Sequence, residues 1–424
     1  MHYIYKMQIR DILILQKREL DSKLKEIYVE RDLEIKNIKS DLIKVIIGPR
    51  RSGKSFFAVH ILNKIGNFGY VNFDDERLVD VKDYDEIVDA TNSIYDNPKF
   101  LLLDEIQNLE KWELFVNRLQ RQGYYLFITG SNANLLSMEL ATHLTGRHIP
   151  ITLFPFSFKE FLTLEKNKST ESEIREKMFY YLTYGGYPEP LIKKLDYIEY
   201  LSSLFNSIIY KDIVKRFRIR SISAIEDLAT YLVSNLAKEF SYNTLSKVTK
   251  CKSVHTVQKY LKYLEEAFIF FQLSRFSYKV KEQMASNKKI YCIDNGFIQA
   301  KAFKSGSDIG RICENVVAIE LKKLEVKHLA KIYYWKTPRE EVDFLLKREN
   351  VDQLIQVCYD ISDVKTKERE TRALINASKA LNCQNLLVIT ENYAAEELVS
   401  WFGIERNIKF IPLYKWLLSD TFSL

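Results

Sequence analysis

The residues best suited to chemistry are Gly48-Pro49-Arg50-Arg51-Ser52-Gly53-Lys54-Ser55. They follow a short apolar run, Val45-Ile46-Ile47, and open a stretch whose apolar positions include Phe56, Phe57, Val59, Ile61 and Leu62. The pattern G-x-x-x-x-G-K-S between a strand and a helix is that of a phosphate-binding loop. Its two glycines let backbone N–H groups close around the β- and γ-phosphates, and the helix N-terminus adds partial positive charge. Lys54 would neutralise the phosphates, and the Ser55 hydroxyl would ligate Mg2+. ATP and Mg2+ are the cofactors this loop predicts.

A second half-site follows in Phe100-Leu101-Leu102-Leu103-Asp104-Glu105, an apolar strand ending on two acids. Asp104 is expected to hold Mg2+ through water or the Ser55 hydroxyl. Glu105 is expected to orient and polarise the attacking water as general base. The string Ile128-Thr129-Gly130-Ser131-Asn132 ends another strand. Placed between the other two, that strand would aim Ser131 or Asn132 at the γ-phosphate, or use either as a helix N-cap. Arg147 reads either as an arginine finger acting on a neighbouring subunit's nucleotide or as a surface or loop-supporting arginine.

The elements that must position these groups alternate. Strands are predicted at residues 44–47, 69–73, 100–103, 125–129 and 148–153, with helices between them near 83–95, 112–122 and 134–144. This βα alternation predicts an α/β fold with a five-stranded parallel sheet covered on both faces. A helix is predicted over residues 8–26, then an extended lead-in near Tyr28 to Leu33. From Phe156 to Arg220 the chain reads as helical, with helices at 171–184 and 197–217 broken at Gly185-Gly186-Tyr187-Pro188. Beyond it come short helices and strands at 268–273 and 289–293, then helices at 309–324 and 366–381 among strands at 332–335, 342–346, 354–357, 386–390 and 408–413.

Length and composition set the frame. At 424 residues, 46% of them hydrophobic, the chain has room for several packed domains. A net charge of +7 permits a nucleic-acid partner without requiring one. The five cysteines, Cys251, Cys292, Cys313, Cys358 and Cys383, make no C-x-x-C pair, so neither a zinc site nor a disulfide framework is expected. The longest apolar run, near Ala267 to Phe271, is far short of a membrane span. No secretory h-region is visible, and a soluble cytoplasmic protein is expected.

The phosphate loop, Leu101-Leu102-Leu103-Asp104-Glu105-Ile106-Gln107, Ile128 to Asn132, Thr145-Gly146-Arg147 and the segment Leu153 to Phe161 together resemble an AAA+-type ATPase family common in archaea and bacteria. The resemblance covers the chain from about residue 28 and implies ATP binding and hydrolysis. It implies an N-terminal segment (1–40), a P-loop core (41–155), a helical lid (156–221), a winged helix (222–295) and a restriction-endonuclease-like domain (296–424).

Residues 241–275 also read as a helix–turn–helix followed by strand on their own pattern. Ser253 would cap a second helix with the apolar stripe Val254, Val257, Leu261, Leu264 and Phe268, leaving His255, Gln258, Lys259 and Lys262 on the other face. With Lys250 and Lys252 in the turn, this face suits duplex DNA, or serves as a protein platform. In the last domain Glu314 and Asp343 match the endonuclease acids, but Gln356 and Cys358 stand where the resemblance implies a glutamate and a lysine. The domain is therefore expected not to cut DNA, unless Lys365 or Lys367 takes over the lysine's part. Two functions remain open: an ATPase coupled to DNA, working as a possible homo-oligomer, and a nucleotide-dependent regulatory switch that binds protein. DNA-stimulated hydrolysis separates them.

Overall fold

In the computed structural model, residues 7–79, 81–130, 146–165, 169–249, 251, 253–302 and 309–419 are described. Ser131, Asn132, Lys250, Lys252 and the helix expected over 134–144 lie outside them. The chain divides into two compact units, one of residues 1–155 with 266–268, the other of 156–265 with 269–424.

The first unit is built on five strands: β1 (Ile43–Ile47), β2 (Phe68–Asn72), β3 (Phe100–Asp104), β4 (Tyr125–Gly130) and β5 (His148–Thr152). Their order is β2-β3-β4-β1-β5, and every neighbouring pair is parallel. β1 and β3 are buried along their whole length, which explains why they read as unbroken apolar runs rather than alternating ones. Helices α1 (Ile9–Lys23), α2 (Lys54–Ile65), α3 (Asp85–Tyr95) and α4 (Trp112–Arg121) accompany the sheet. Ile12 and Leu13 of α1 belong to the same buried cluster as Val45 and Leu103, so α1 is part of this core. Gln16 of α1 also closes the exposed edge of β2: its amide donates to the Asn72 carbonyl at 3.0 Å, and its carbonyl accepts from the Asn72 N–H at 2.9 Å.

The second unit contains the predicted helices Glu171–Tyr184 and Tyr197–Ser207, the latter running on into a π-helical stretch, Ile208–Lys215. The helices Ile222–Ser234, Tyr242–Val248 and Val254–Glu266 follow, with a three-stranded antiparallel sheet. Its strands β6 (Glu239–Phe240), β7 (Phe270–Ser274) and β8 (Lys288–Cys292) are ordered β6-β8-β7. Phe268, read as the last residue of the second helix's stripe, lies past the helix end with φ 54 and groups with the first unit.

The C-terminal sheet holds β9 (Lys331–Lys336), β10 (Glu341–Lys347), β11 (Val351–Val357), β12 (Leu386–Thr390), β13 (Ala395–Trp401) and β14 (Ile404–Pro412). The order is β13-β14-β12-β11-β10-β9, parallel from β11 through β12 to β14 and antiparallel elsewhere. Edge strand β13, unread in the sequence, has no fully buried residue, and its Glu396 and Glu397 hide the strand pattern. The helices Ile309–Val326 and Val364–Leu381 complete this part.

A buried polar knot ties the segments of the second unit together. Gly185 has φ 76, which ends the Glu171–Tyr184 helix and turns the Gly186 N–H onto Asp294 at 2.7 Å. The Gly296 N–H reaches the same carboxyl at 2.8 Å, and Asn295 donates to the Leu182 carbonyl at 3.1 Å. Burial pushes the Asp294 carboxyl up from 3.8 to about 7, although both amide hydrogen bonds favour its ionised form. The folded chain thus holds a proton that the unfolded chain has released, and stability should fall as pH rises from 3.8 towards about 7. In thermal unfolding, the advantage of the parent over Asp294→Asn should be greatest at the acid end of this window and shrink towards its neutral end. A difference that stays constant across the window would contradict this.

Candidate functional site

Gly48 starts the loop where β1 stops. Its φ is 149, and a Cβ there would lie 2.1 Å from the Leu153 carbonyl oxygen, so only glycine fits beside the chain leaving β5. The chain then turns through Arg51 at φ 64 and Gly53 at φ 91, and Gly53 is the N-cap of α2. Arg31, from the segment before β1, fixes this loop from behind. Its guanidinium donates to the Ser52 carbonyl at 3.1 Å and to the Phe154 carbonyl at 2.5 Å, tying the loop to the strand-5 exit.

Gly48, Pro49, Arg50, Arg51, Ser52, Gly53, Lys54 and Ser55 thus form one turn. Lys54 is buried, and its ammonium donates to the carbonyls of Pro49 at 2.8 Å and Gly48 at 3.2 Å. The Ser52 hydroxyl is buried without a hydrogen-bond partner among the described residues. A buried cation, an unused donor and a helix N-terminus together fit a phosphate group.

The parallel register puts the end of β3 beside the loop. Ser55 Oγ donates to Asp104 Oδ1 at 2.7 Å, and Tyr70 Oη of β2 donates to Asp104 Oδ2 at 3.1 Å. Thr129 Oγ1 of β4 donates to Asp104 Oδ1 as well, and accepts the Glu105 N–H at 3.0 Å. Burial and the adjoining Asp104 charge push the Tyr70 hydroxyl far above its ordinary value, so it stays a donor. Asp104 with the Ser55 hydroxyl gives an oxygen-only donor set suited to Mg2+.

Glu105, just past the end of β3, is in the left-handed region at φ 51, which swings its side chain out of the strand line. The Gln107 amide donates to Glu105 Oε2 at 2.5 Å. The two acids therefore separate: Asp104 is buried at the hub, and Glu105 is half-buried beside it.

Other expected residues lie elsewhere. Arg147 is exposed and precedes β5, whose first residue, His148, is level with Ile43. The loop begins after Ile47, so about 13 Å of strand separates the two ends. Lys259 and Lys262 are exposed on the Val254–Glu266 helix of the second unit, with His255 and Gln258. Thr129, Tyr70, Arg31 and Gln107 are the site residues that sequence reasoning missed as such. Thr129 lay inside the quoted Ile128 to Asn132 string, but strand register alone shows it facing Asp104.

Comparison with known proteins agrees with this geometry. The family model for an AAA domain matches residues 40–162, and two domains of unknown function match 175–307 and 309–416. An uncharacterized protein of Methanocaldococcus jannaschii is 37% identical over 430 residues, covering 96% of this chain and 94% of that one. An uncharacterized protein of Haemophilus influenzae is 30% identical over 416 residues, covering 93% and 98%. A Walker-type ATPase of Pyrococcus abyssi is similar over 68% of this chain and 94% of that one, at 13% identity and a TM-score of 0.41. The chain belongs to the family of these archaeal and bacterial relatives, and its first unit is a P-loop ATPase domain of the AAA type.

Proposed function

We propose that this protein is a Mg2+-dependent ATPase whose nucleotide cycle is coupled to duplex DNA. The observation that carries the ATPase reading is the hydrogen-bonded set Ser55–Asp104–Thr129 packed against the phosphate loop. Lys54 and the loop amides bind the phosphates, and Ser55 and Asp104 hold Mg2+. The ion supplies charge that draws electrons towards the leaving phosphates. Glu105 accepts the proton of the attacking water, and Gln107 positions its carboxylate. Ser131 or Asn132, following β4, is the candidate for orienting that water. Tyr28 stacks on His60 at 3.9 Å with Phe56 beside them, an aromatic ledge on the first turns of α2 suited to the base.

The DNA reading rests on charge brought together by packing. The helices Ile222–Ser234, Tyr242–Val248 and Val254–Glu266 with the small antiparallel sheet suit a winged helix, with Lys259 and Lys262 on its outward face. Phe217 stacks on Tyr263 of that helix at 3.6 Å. Phe217 lies within the exposed basic run Lys211, Lys215, Arg216, Arg218 and Arg220, so the stack ties that run to this helix. Such a surface suits phosphates rather than base edges. Arg147 sits too far from its own loop to reach it, which favours action on a neighbouring copy in a homo-oligomer.

Lys54→Ala should weaken ATP binding by about 10- to 100-fold, the loss of one charge-assisted contact. Glu105→Gln should bind ATP normally and lose turnover by about 100-fold or more. Steady-state phosphate release and equilibrium nucleotide binding measure both, and parent-like hydrolysis by Glu105→Gln would remove it as the base.

Arg147→Ala should bind ATP without turning it over, and mixing it with Lys54→Ala should restore part of the activity. A strictly monomeric, fully active ATPase would rule out the trans role.

Affinity for duplex DNA should fall with salt at a log–log slope of about −0.9 per phosphate neutralised. Replacing Lys252, Lys259 and Lys262 by Ala should flatten that slope by roughly one to three units, and neutralising the Lys211 to Arg220 run should flatten it further. Hydrolysis untouched by single-stranded, double-stranded or branched DNA would favour the regulatory switch instead.

A further inference from the structure

Lys289, in the middle strand β8 of the small antiparallel sheet, is a lysine that no part of the ATPase reading uses. It is only 2% exposed, and its ammonium lies 2.7 Å from Glu341, 3.0 Å from Glu314 and 3.3 Å from Asp343. Glu314 comes from the Ile309–Val326 helix, and Glu341 and Asp343 come from β10. Glu314 and Asp343 are the two acids that match the metal ligands of the endonucleases this domain resembles. We propose that the Lys289 ammonium is the resident cation of the C-terminal domain, filling the place between Glu314 and Asp343 that a divalent metal would otherwise take. This inference rests on the geometry of these four side chains and stands independently of the ATPase reading.

The surroundings hold the lysine there. β8 is paired on both sides, with Lys289 level with Glu239 of β6 and Leu273 of β7, so its backbone cannot swing away without breaking the sheet. The ammonium also lies 5.7 Å from the Tyr334 ring. Burial alone would discharge a lysine, but the carboxylates of Glu314, Asp343 and Glu341 outweigh it and hold Lys289 well above its ordinary value. Tyr291 Oη donates to Glu314 at 2.7 Å, and the Val357 N–H donates to Asp343 Oδ2 at 3.0 Å. One oxygen of Glu314 and both oxygens of Asp343 thus already take donors of the chain itself.

The remaining positions fit a metal no better. Gln356 is fixed by accepting the Asp343 N–H at 3.2 Å and donating to Glu370 at 2.5 Å, and Glu370 is held in turn by Arg369. Burial pushes the Cys358 thiol up to about 12, so it offers neither a cation nor a thiolate. Lys367 points to Glu397 at 2.7 Å rather than to Asp343, and Lys365 is exposed. A lysine has entered this cluster, but from β8 rather than from the helix that follows β11.

The test is Mn2+ binding by the full-length chain without nucleotide, read by electron paramagnetic resonance and by thermal unfolding. The parent should show no Mn2+ site that Asp343→Asn removes, and its unfolding midpoint should not respond to Mn2+ through that residue. Lys289→Ala should gain one Mn2+ per chain, be destabilised in its absence, and recover its midpoint when Mn2+ is added. Both effects should vanish in Lys289→Ala with Asp343→Asn. If Lys289→Ala folds only when Mn2+ is present, that outcome also supports the proposal. A parent Mn2+ site lost with Asp343→Asn, or Lys289→Ala that neither binds Mn2+ nor is stabilised by it, overturns the proposal. Plasmid nicking by the parent that requires both Asp343 and Lys289 would make the lysine catalytic and overturn it too.

Discussion

The first unit depends on one buried carboxylate. Asp104 receives hydrogen bonds from Ser55 on α2, Tyr70 on β2 and Thr129 on β4, so elements from three separate parts of the chain meet at the end of β3. A buried carboxylate is costly unless its acceptor sites are filled, and three neutral donors fill them here. The same donors hold the carboxylate in place beside the phosphate loop. The stability of the sheet end and the readiness of the site are therefore one property. Glu105, one residue later, turns its side chain away from this hub through its left-handed backbone, and its carboxylate accepts from the Gln107 amide.

The second unit manages buried charge in a different way. Asp294 is satisfied by two backbone amides and pushed towards the neutral form. Lys289 is satisfied by carboxylates that come from the helix and strand of the next segment. Both arrangements join segments far apart in sequence; at Lys289, removing the lysine leaves buried carboxylates without their counter-charge, which destabilises far more than losing a surface pair. Such groups explain why the segments after Phe156 cohere, beyond the apolar clusters that any fold of this size would possess.

The parallel sheet and the phosphate loop were legible because their signals are local. An apolar run, two glycines at fixed spacing and a lysine–serine pair define strand, turn and helix within a dozen residues. The acids ending β3 were legible for the same reason. Thr129, Tyr70 and Arg31 were not, because each acts through a partner 25 to 123 residues away that only strand order and register bring near. Lys289 looked like an ordinary strand lysine, since nothing adjacent to it in sequence announces Glu314 or Asp343. β13 escaped because an edge strand rich in glutamate carries no apolar run. The π-helical stretch after Ser207 has the composition of an α-helix, so its irregularity is invisible to periodicity.

Asp104 and Ser55 are proposed to make the phosphate loop a Mg2+-assisted ATP site. The most direct measurement is the affinity for ATP with and without Mg2+, in the parent and in Asp104→Asn. Mg2+ should tighten binding to the parent, and this dependence should disappear in Asp104→Asn while metal-free binding persists. Equal Mg2+ dependence in the two proteins would contradict it.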